Sequence, residues 1–157
     1  MNKPALRWLS EFHAFTTSRK VLLTLAVLFL CVPKVKASEL NVMVNESVMV
    51  AELSRSELRQ IFTGQRQYWD NGTKITVFVL QDSDELHRQF CRDILQMFPY
   101  QLDRIWNKLT YSGLGVAPII VNTPEDLLDA VSKTPGAIGY VGSVKSMEAV
   151  NVVKIKS

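Results

Sequence analysis

The sequence predicts an α/β fold: a three-layer α/β/α domain with a mostly parallel central sheet. Three observations lead there. Short β-rich runs alternate along the chain with amphipathic helical stretches, the pattern of parallel strands with helices packed on them. Lys74–Leu80 (KITVFVL) is apolar on both faces beyond Thr76, as a central strand covered on either side requires. The 120 residues beyond position 37 are enough for one domain with a real core and too few for two.

Residues 1–37 are expected to be a secretory signal peptide and stand apart from the fold. Lys3, Arg7, Arg19 and Lys20 form a basic start that Glu11 interrupts, and Val21–Val32 is an uncharged apolar run with Thr24 inside it. Pro33 and a small-residue site ending at Ala37 follow, which places cleavage between Ala37 and Ser38. The competing reading is an uncleaved membrane anchor, for which the run is short against the roughly 20 apolar residues a spanning helix needs. Leu30 stands before Cys31 where a lipidated cysteine would have a small residue. The net charge of +3 belongs to this leader. Residues 38–157 hold 12 basic and 14 acidic residues, a net of −2, which leaves nucleic acid without an electrostatic footprint. Cys91 is the one cysteine in that stretch, so packing rather than an internal disulfide must hold the domain.

The elements follow in order. Leu40, Val42 and Val44 alternate with Asn41 and Met43 as a first strand. Ser54 and Glu57 have capping-box spacing, and Leu58, Ile61 and Phe62 then give a buried helical stripe. Gly64 stands where a left-handed C-cap is needed. Asp70-Asn71-Gly72 is a turn signal that leads into the central strand. Asp82 and Glu85 offer a second capping box, opening a helix that buries Leu86, Phe90, Ile94 and Leu95. Pro99 interrupts that helix, and Leu102, Ile105, Trp106 and Leu109 form the stripe of the next. Gly113 and Gly115 lie in a loop before the short strand Pro118–Val121. Thr123-Pro124 supplies an N-cap and a first-turn proline to a helix that turns Leu127, Leu128 and Val131 inward. Pro135-Gly136 reverses the chain into Ala137–Val141, and Asn151–Ile155 makes a last strand.

No catalytic motif stands out. GxSxG, HExxH and phosphate-binding glycine loops are absent, and Tyr111-Ser112-Gly113-Leu114-Gly115 lacks nucleophile-elbow spacing. His87 and Cys91 share a helix face, but residues 38–157 contain no other His or Cys to complete a metal shell. A buried cysteine beside a partly exposed histidine is the expectation, with no metal and no cofactor. Arg66, Tyr68 and Trp69 combine charge with aromatic area, and Trp69 is expected to anchor the turn to the sheet.

Leu53-Ser54, Glu57-Leu58, Ile61-Phe62-x-Gly64, Trp69, an Asn-Gly turn, the strand Ile75–Val79 and Thr134-Pro135-Gly136-Ala137-Ile138-Gly139-Tyr140-Val141 occur in that order. So arranged, they resemble one lobe of a type 2 periplasmic binding protein, in the phosphate-binding branch of the family. The resemblance runs from about Leu40 to Val141 and implies the second lobe alone of a protein whose full members have two. It also implies a loop after the central strand in which a basic residue leads into a Ser-Gly-Thr-rich helix start that holds phosphate. The corresponding stretch here is Leu80-Gln81-Asp82-Ser83-Asp84-Glu85-Leu86, with no basic residue and three carboxylates. Carboxylates there favour the helix dipole and repel phosphate, so tight phosphate capture of the usual kind is not expected.

By position, the candidate ligand residues are Gln81, Asp82, Ser83 and Asp84 in that loop, Asn45 and Ser47 after the first strand, and Gly139 and Tyr140. Ligands of open α/β sheets lie beyond the carboxyl ends of strands, which is where Asn45 and Ser47 gain their weight. Asp82, Ser83 and Asp84 equally suit helix capping; a ligand among them would be a cation, an amine or a polar protein surface. The expected function is an exported, non-catalytic solute-binding-like protein. The alternative is an accessory or regulatory partner of an envelope complex with a vestigial solute site. The partner expected is a small solute or anion, or an envelope protein. Membrane contact would come only through an uncleaved leader, and a homodimer across the former interlobe cleft is a lesser expectation.

Overall fold

The protein is described from a computed structural model, which covers residues 40–142 and 149–156; the leader lies outside the described residues. The elements are β1 (Asn41–Asn45), β2 (Glu52–Ser54), α1 (Arg55–Phe62), β3 (Thr76–Leu80) and α2 (Glu85–Phe90), which runs on into a π-helical turn (Cys91–Leu95). After these come α3 (Pro99–Tyr111), β4 (Ile119–Val121), α4 (Pro124–Lys133), β5 (Ala137–Val141) and β6 (Val150–Lys156).

The six strands lie in the order β2-β6-β1-β5-β3-β4. The β2–β6, β3–β5 and β3–β4 pairs are parallel, and β1 is antiparallel to both β5 and β6. Five strands therefore run one way and β1 alone runs the other, so the sheet is mostly parallel. Two adjacent residues of β5 show the layers. A Cβ on Gly139 would lie 2.6 Å from Leu127 and 3.0 Å from Val131, so α4 sits directly on that face of the strand. Tyr140, pointing to the opposite face, stacks on Phe90 with ring centres 4.0 Å apart and lies 6.3 Å from Phe62. Helices α1 and α2 therefore cover the second face, which completes the α/β/α sandwich.

Local chemistry sets the boundaries. Ser54 Oγ accepts from Glu57 N at 3.2 Å while the Glu57 carboxylate accepts from Ser54 N at 2.8 Å, the reciprocal capping box that starts α1. Gly64 follows that helix at φ +72°, and Leu58, Ile61 and Phe62 are fully buried. Thr123 Oγ1 accepts from Asp126 N at 3.1 Å to open α4.

Four details differ from the sequence expectation. The cap of α2 is Asp84, two residues after Asp82: its Oδ1 accepts from Leu86 N at 2.8 Å and His87 N at 3.3 Å. Met43, which alternates with Val42 and Val44, is buried as they are, because β1 lies mid-sheet with helices over both faces. Pro99 does not interrupt the α2 segment, which ends earlier where Gln96 turns left-handed at φ 54°; Pro99 instead starts α3. The short edge strand β2 had no sequence signal of its own, three residues being too few to show a period.

Candidate functional site

The candidate residues divide between opposite edges of the sheet. Because β1 runs against β5 and β5 runs with β3, Asn45 lies beside the start of β5 and β3. Gln81–Asp84 leave the far end of β3. At roughly 3.3 Å per residue, the length of β3 separates the two groups by about 15 Å.

At the Asn45 edge both candidate side chains are engaged within the fold. Asn45 is buried; its Nδ2 donates to the carbonyls of Val131 (2.9 Å) and Ser132 (2.7 Å), and its Oδ1 accepts from Ser47 N at 3.0 Å. It thereby satisfies carbonyls that the end of α4 leaves without helical partners. Ser47 Oγ accepts from Gly136 N at 3.0 Å. Gly139 meets α4, as described above, and Tyr140 points into the core.

The far edge carries a buried polar chain. Leu80 N donates to the Tyr140 hydroxyl at 2.9 Å, and that hydroxyl lies 2.5 Å from His87 Nδ1. A phenol that accepts from a backbone N–H has its own hydrogen free for the imidazole, so Nδ1 accepts and Nε2 carries the proton. Nε2 faces Asp82 Oδ1 and Cys91 Sγ, each at 3.5 Å. Burial pushes the His87 pKa down against the opposing charges of Asp82 and Asp84, so the ring is neutral near pH 7. The contact with Asp82 is therefore a long polar contact rather than an ion pair. His87, expected to be partly exposed, is buried because Tyr140 reaches it across the core. Burial also raises the Tyr140 phenol far above its ordinary value and pushes the Cys91 thiol up to about 12, so neither ionises near neutrality.

Asp82 reaches from its loop to α3, where its carboxyl hydrogen-bonds that of Asp103. That bond, burial and the Asp82 charge together raise Asp103 to about 6. The pair lines a cleft of about 190 Å³ with His87, Leu102, Trp106 and Asn107. Trp106 Nε1 is buried with no hydrogen-bond partner among the described residues. Gln81 and Ser83 are exposed, and Gln81 Nε2 donates to Asn122 Oδ1 at 2.7 Å. Asp103, Trp106 and Asn107 were not candidates from sequence. Asp103 adjoins the apolar stripe of α3, but nothing local links it to a loop twenty-one residues earlier. A larger cleft of about 260 Å³ lies toward the other end of β3, between Ile61, Gly64, Lys74 and Trp106. No group of three or more His, Cys, Asp or Glu among the described residues could hold a metal ion.

Known structures share this architecture. An ABC-type phosphate transport receptor from Vibrio cholerae superposes with a TM-score of 0.59 at 18% identity, over 75% of this chain and 46% of that one. The fold is that of a phosphate-binding-protein lobe. A Clostridium perfringens protein described as a phosphate ABC transporter substrate-binding protein, solved with phosphate bound, gives 0.61 at 18% identity over 75% and 45% of the two chains. PstS from Borrelia burgdorferi gives 0.56 at 18% identity over 76% and 48%. The chain spans less than half the length of each of these proteins. No protein-family model matches the sequence, and no curated protein matches it. On this lobe, the helix start after β3 has its N–H groups facing a carboxylate of its own chain.

Proposed function

We propose that the protein is an exported, non-catalytic solute-binding-like lobe, residues 38–157 behind a cleaved leader, whose cleft beside Asp82 takes a small solute other than phosphate. The observation that carries this reading is the Asp84 carboxylate. It accepts from Leu86 N and His87 N, two of the donors that a helix N-terminus offers an anion. A phosphate there would have to displace that carboxylate and approach Asp82, with no basic residue in the loop to compensate.

The cleft suits a compact polar solute with both donor and acceptor groups, or an amine. Asp82 is half exposed and accepts, Asn107 offers an amide, and Trp106 contributes apolar ring surface to the wall. The non-catalytic reading rests on side-chain chemistry: the thiol and phenol are held protonated, and His87 is buried between Tyr140 and Asp82. No helix among the described residues is long and apolar enough to cross a membrane.

A thermal-shift panel of oxyanions, amines, polyols and divalent cations tests this reading. An amine or polyol that raises Tm in the protein, and no longer does so in Asp82→Asn, is the expected result. Silence across the panel would favour the accessory-protein alternative.

A further inference from the structure

The larger cleft, of about 260 Å³, plays no part in the solute reading. Lys74, Ile75 and Val77 line it where the chain enters β3, whereas the solute cleft lies against Val79, Leu80 and Asp82 further along. Trp106 and Ala117 stand between the two and line both. The floor of the larger cleft is apolar: Ile61, Ile75, Val77 and Trp106 line it, and each is more than nine-tenths buried. A Cβ on Gly64 would stand 2.9 Å from Leu109 and 3.1 Å from Trp106, so α3 packs closely against the end of α1 at that wall. Two cations lie among the lining residues, and they differ. The Arg66 guanidinium donates to Asp70 at 2.7 Å and lies 3.5 Å from Glu57. Lys74 is exposed and forms no ion pair among the described residues.

We propose that this cleft is a second binding site, for a small apolar monocarboxylate whose body lies on the floor and whose carboxylate meets the Lys74 ammonium. Three arguments select that class. Buried aliphatic and aromatic walls cannot replace the water lost by a strongly polar solute, so they favour an apolar body. An apolar cavity of about 150 Å³ is enough for benzene, so this larger space admits two fused rings. The charge left without a partner is positive, which favours an anion over a neutral molecule or a cation. One lysine matches one carboxylate. A phosphate would bring more charge and more acceptors than this rim can meet, because the Arg66 fork is already held by Glu57 and Asp70.

Titration calorimetry with naphthoate, and with the uncharged naphthylmethanol as its comparison, tests the proposal on the protein as isolated. Saturable heat is expected with naphthoate, and binding of the alcohol should be about tenfold weaker. Lys74→Ala should weaken naphthoate binding by about the same factor and leave the alcohol unaffected. Val116 is 68% exposed at the rim, so Val116→Glu should weaken naphthoate through charge repulsion. Both substitutions are at exposed positions, so circular dichroism and Tm should stay close to wild type. No saturable heat up to millimolar naphthoate would overturn the proposal. So would naphthoate binding that Lys74→Ala leaves undiminished, or equal binding of the acid and the alcohol by the wild type.

Discussion

The indole Nε1 of Trp69 donates to the carbonyl oxygen of Gly136 at 2.9 Å, a buried bond across 67 residues of sequence. It joins the two halves of the sequence signature, since Trp69 closes the segment that begins at Leu53 and Gly136 lies inside TPGAIGYV. Gly136 is enclosed by further contacts: its N–H donates to Ser47 Oγ and its carbonyl also accepts from Thr76 N at 3.3 Å. Its φ is +76°, and a Cβ there would stand 2.3 Å from the Lys74 carbonyl oxygen, so only glycine fits. The turn before β5 is thus fixed from β1, from β3 and from the Trp69 loop.

Removing parts of this junction should have graded effects in urea denaturation. Trp69→Phe keeps most of the buried ring and deletes the donor, leaving an acceptor that still holds Thr76 N; about 1–2 kcal/mol should be lost. Gly136→Ala forces both the left-handed backbone and the clash with Lys74, and should cost more, about 3 kcal/mol or above. Equal and small losses would show that the junction does not hold the fold.

The Asp82–Asp103 pair predicts a carboxyl titration of unusual position. Asp103 is raised from 3.8 to about 6, so the folded state holds a proton that the unfolded state has released. Its contribution to stability is complete below about pH 4 and is lost as pH rises through about 6. His87 acts in the opposite sense. Its pKa is lowered on folding, so its contribution is present above its ordinary value near 6.5 and is lost as pH falls. The two oppose each other across neighbouring pH ranges, so a bulk stability curve would blur them and a site-resolved carboxyl NMR titration is the measurement to use. Asp103 should titrate near 6, and Asp82→Asn should bring it down by removing the neighbouring charge. A midpoint near 4 in both proteins would contradict the pairing.

Cys91 should be inert in the folded protein. It is fully buried, and its thiol is pushed up to about 12 by burial first and then by the Asp82 charge. Thiolate is the reactive form, so a maleimide should label the native protein slowly, at the rate of global or local opening, and the urea-unfolded protein rapidly. Prompt labelling in the native state would show that the α2 face is open.

The scaffold was legible wherever a single residue type answers a local need. Ser54 with Glu57, Gly64, Asn71-Gly72, Thr123-Pro124 and Gly136 each meet a cap or a turn whose chemistry lies within a few residues. The site was less legible because its geometry is not local. Asn45 and Ser47 joined the loop candidates on the assumption that their strand ran with the others, and β1 is the one strand that reverses. Asp82 and Asp84 both sit where an N-cap could be. The turn closed by Asp84 N on the Gln81 carbonyl decides between them, freeing Asp82 to reach Asp103. His87 is buried because of a tyrosine 53 residues away, and no periodicity records that contact.

Titration calorimetry with inorganic phosphate, on the wild type and on Asp84→Ser, shows whether Asp84 closes the start of α2 to phosphate. No saturable heat is expected with wild-type protein up to millimolar phosphate, because Asp84 already occupies the N–H groups at the start of α2. Asp84→Ser removes a negative charge while keeping a capping hydroxyl, so any residual phosphate affinity should rise. Micromolar phosphate binding by the wild type, unchanged or weakened in Asp84→Ser, would contradict it.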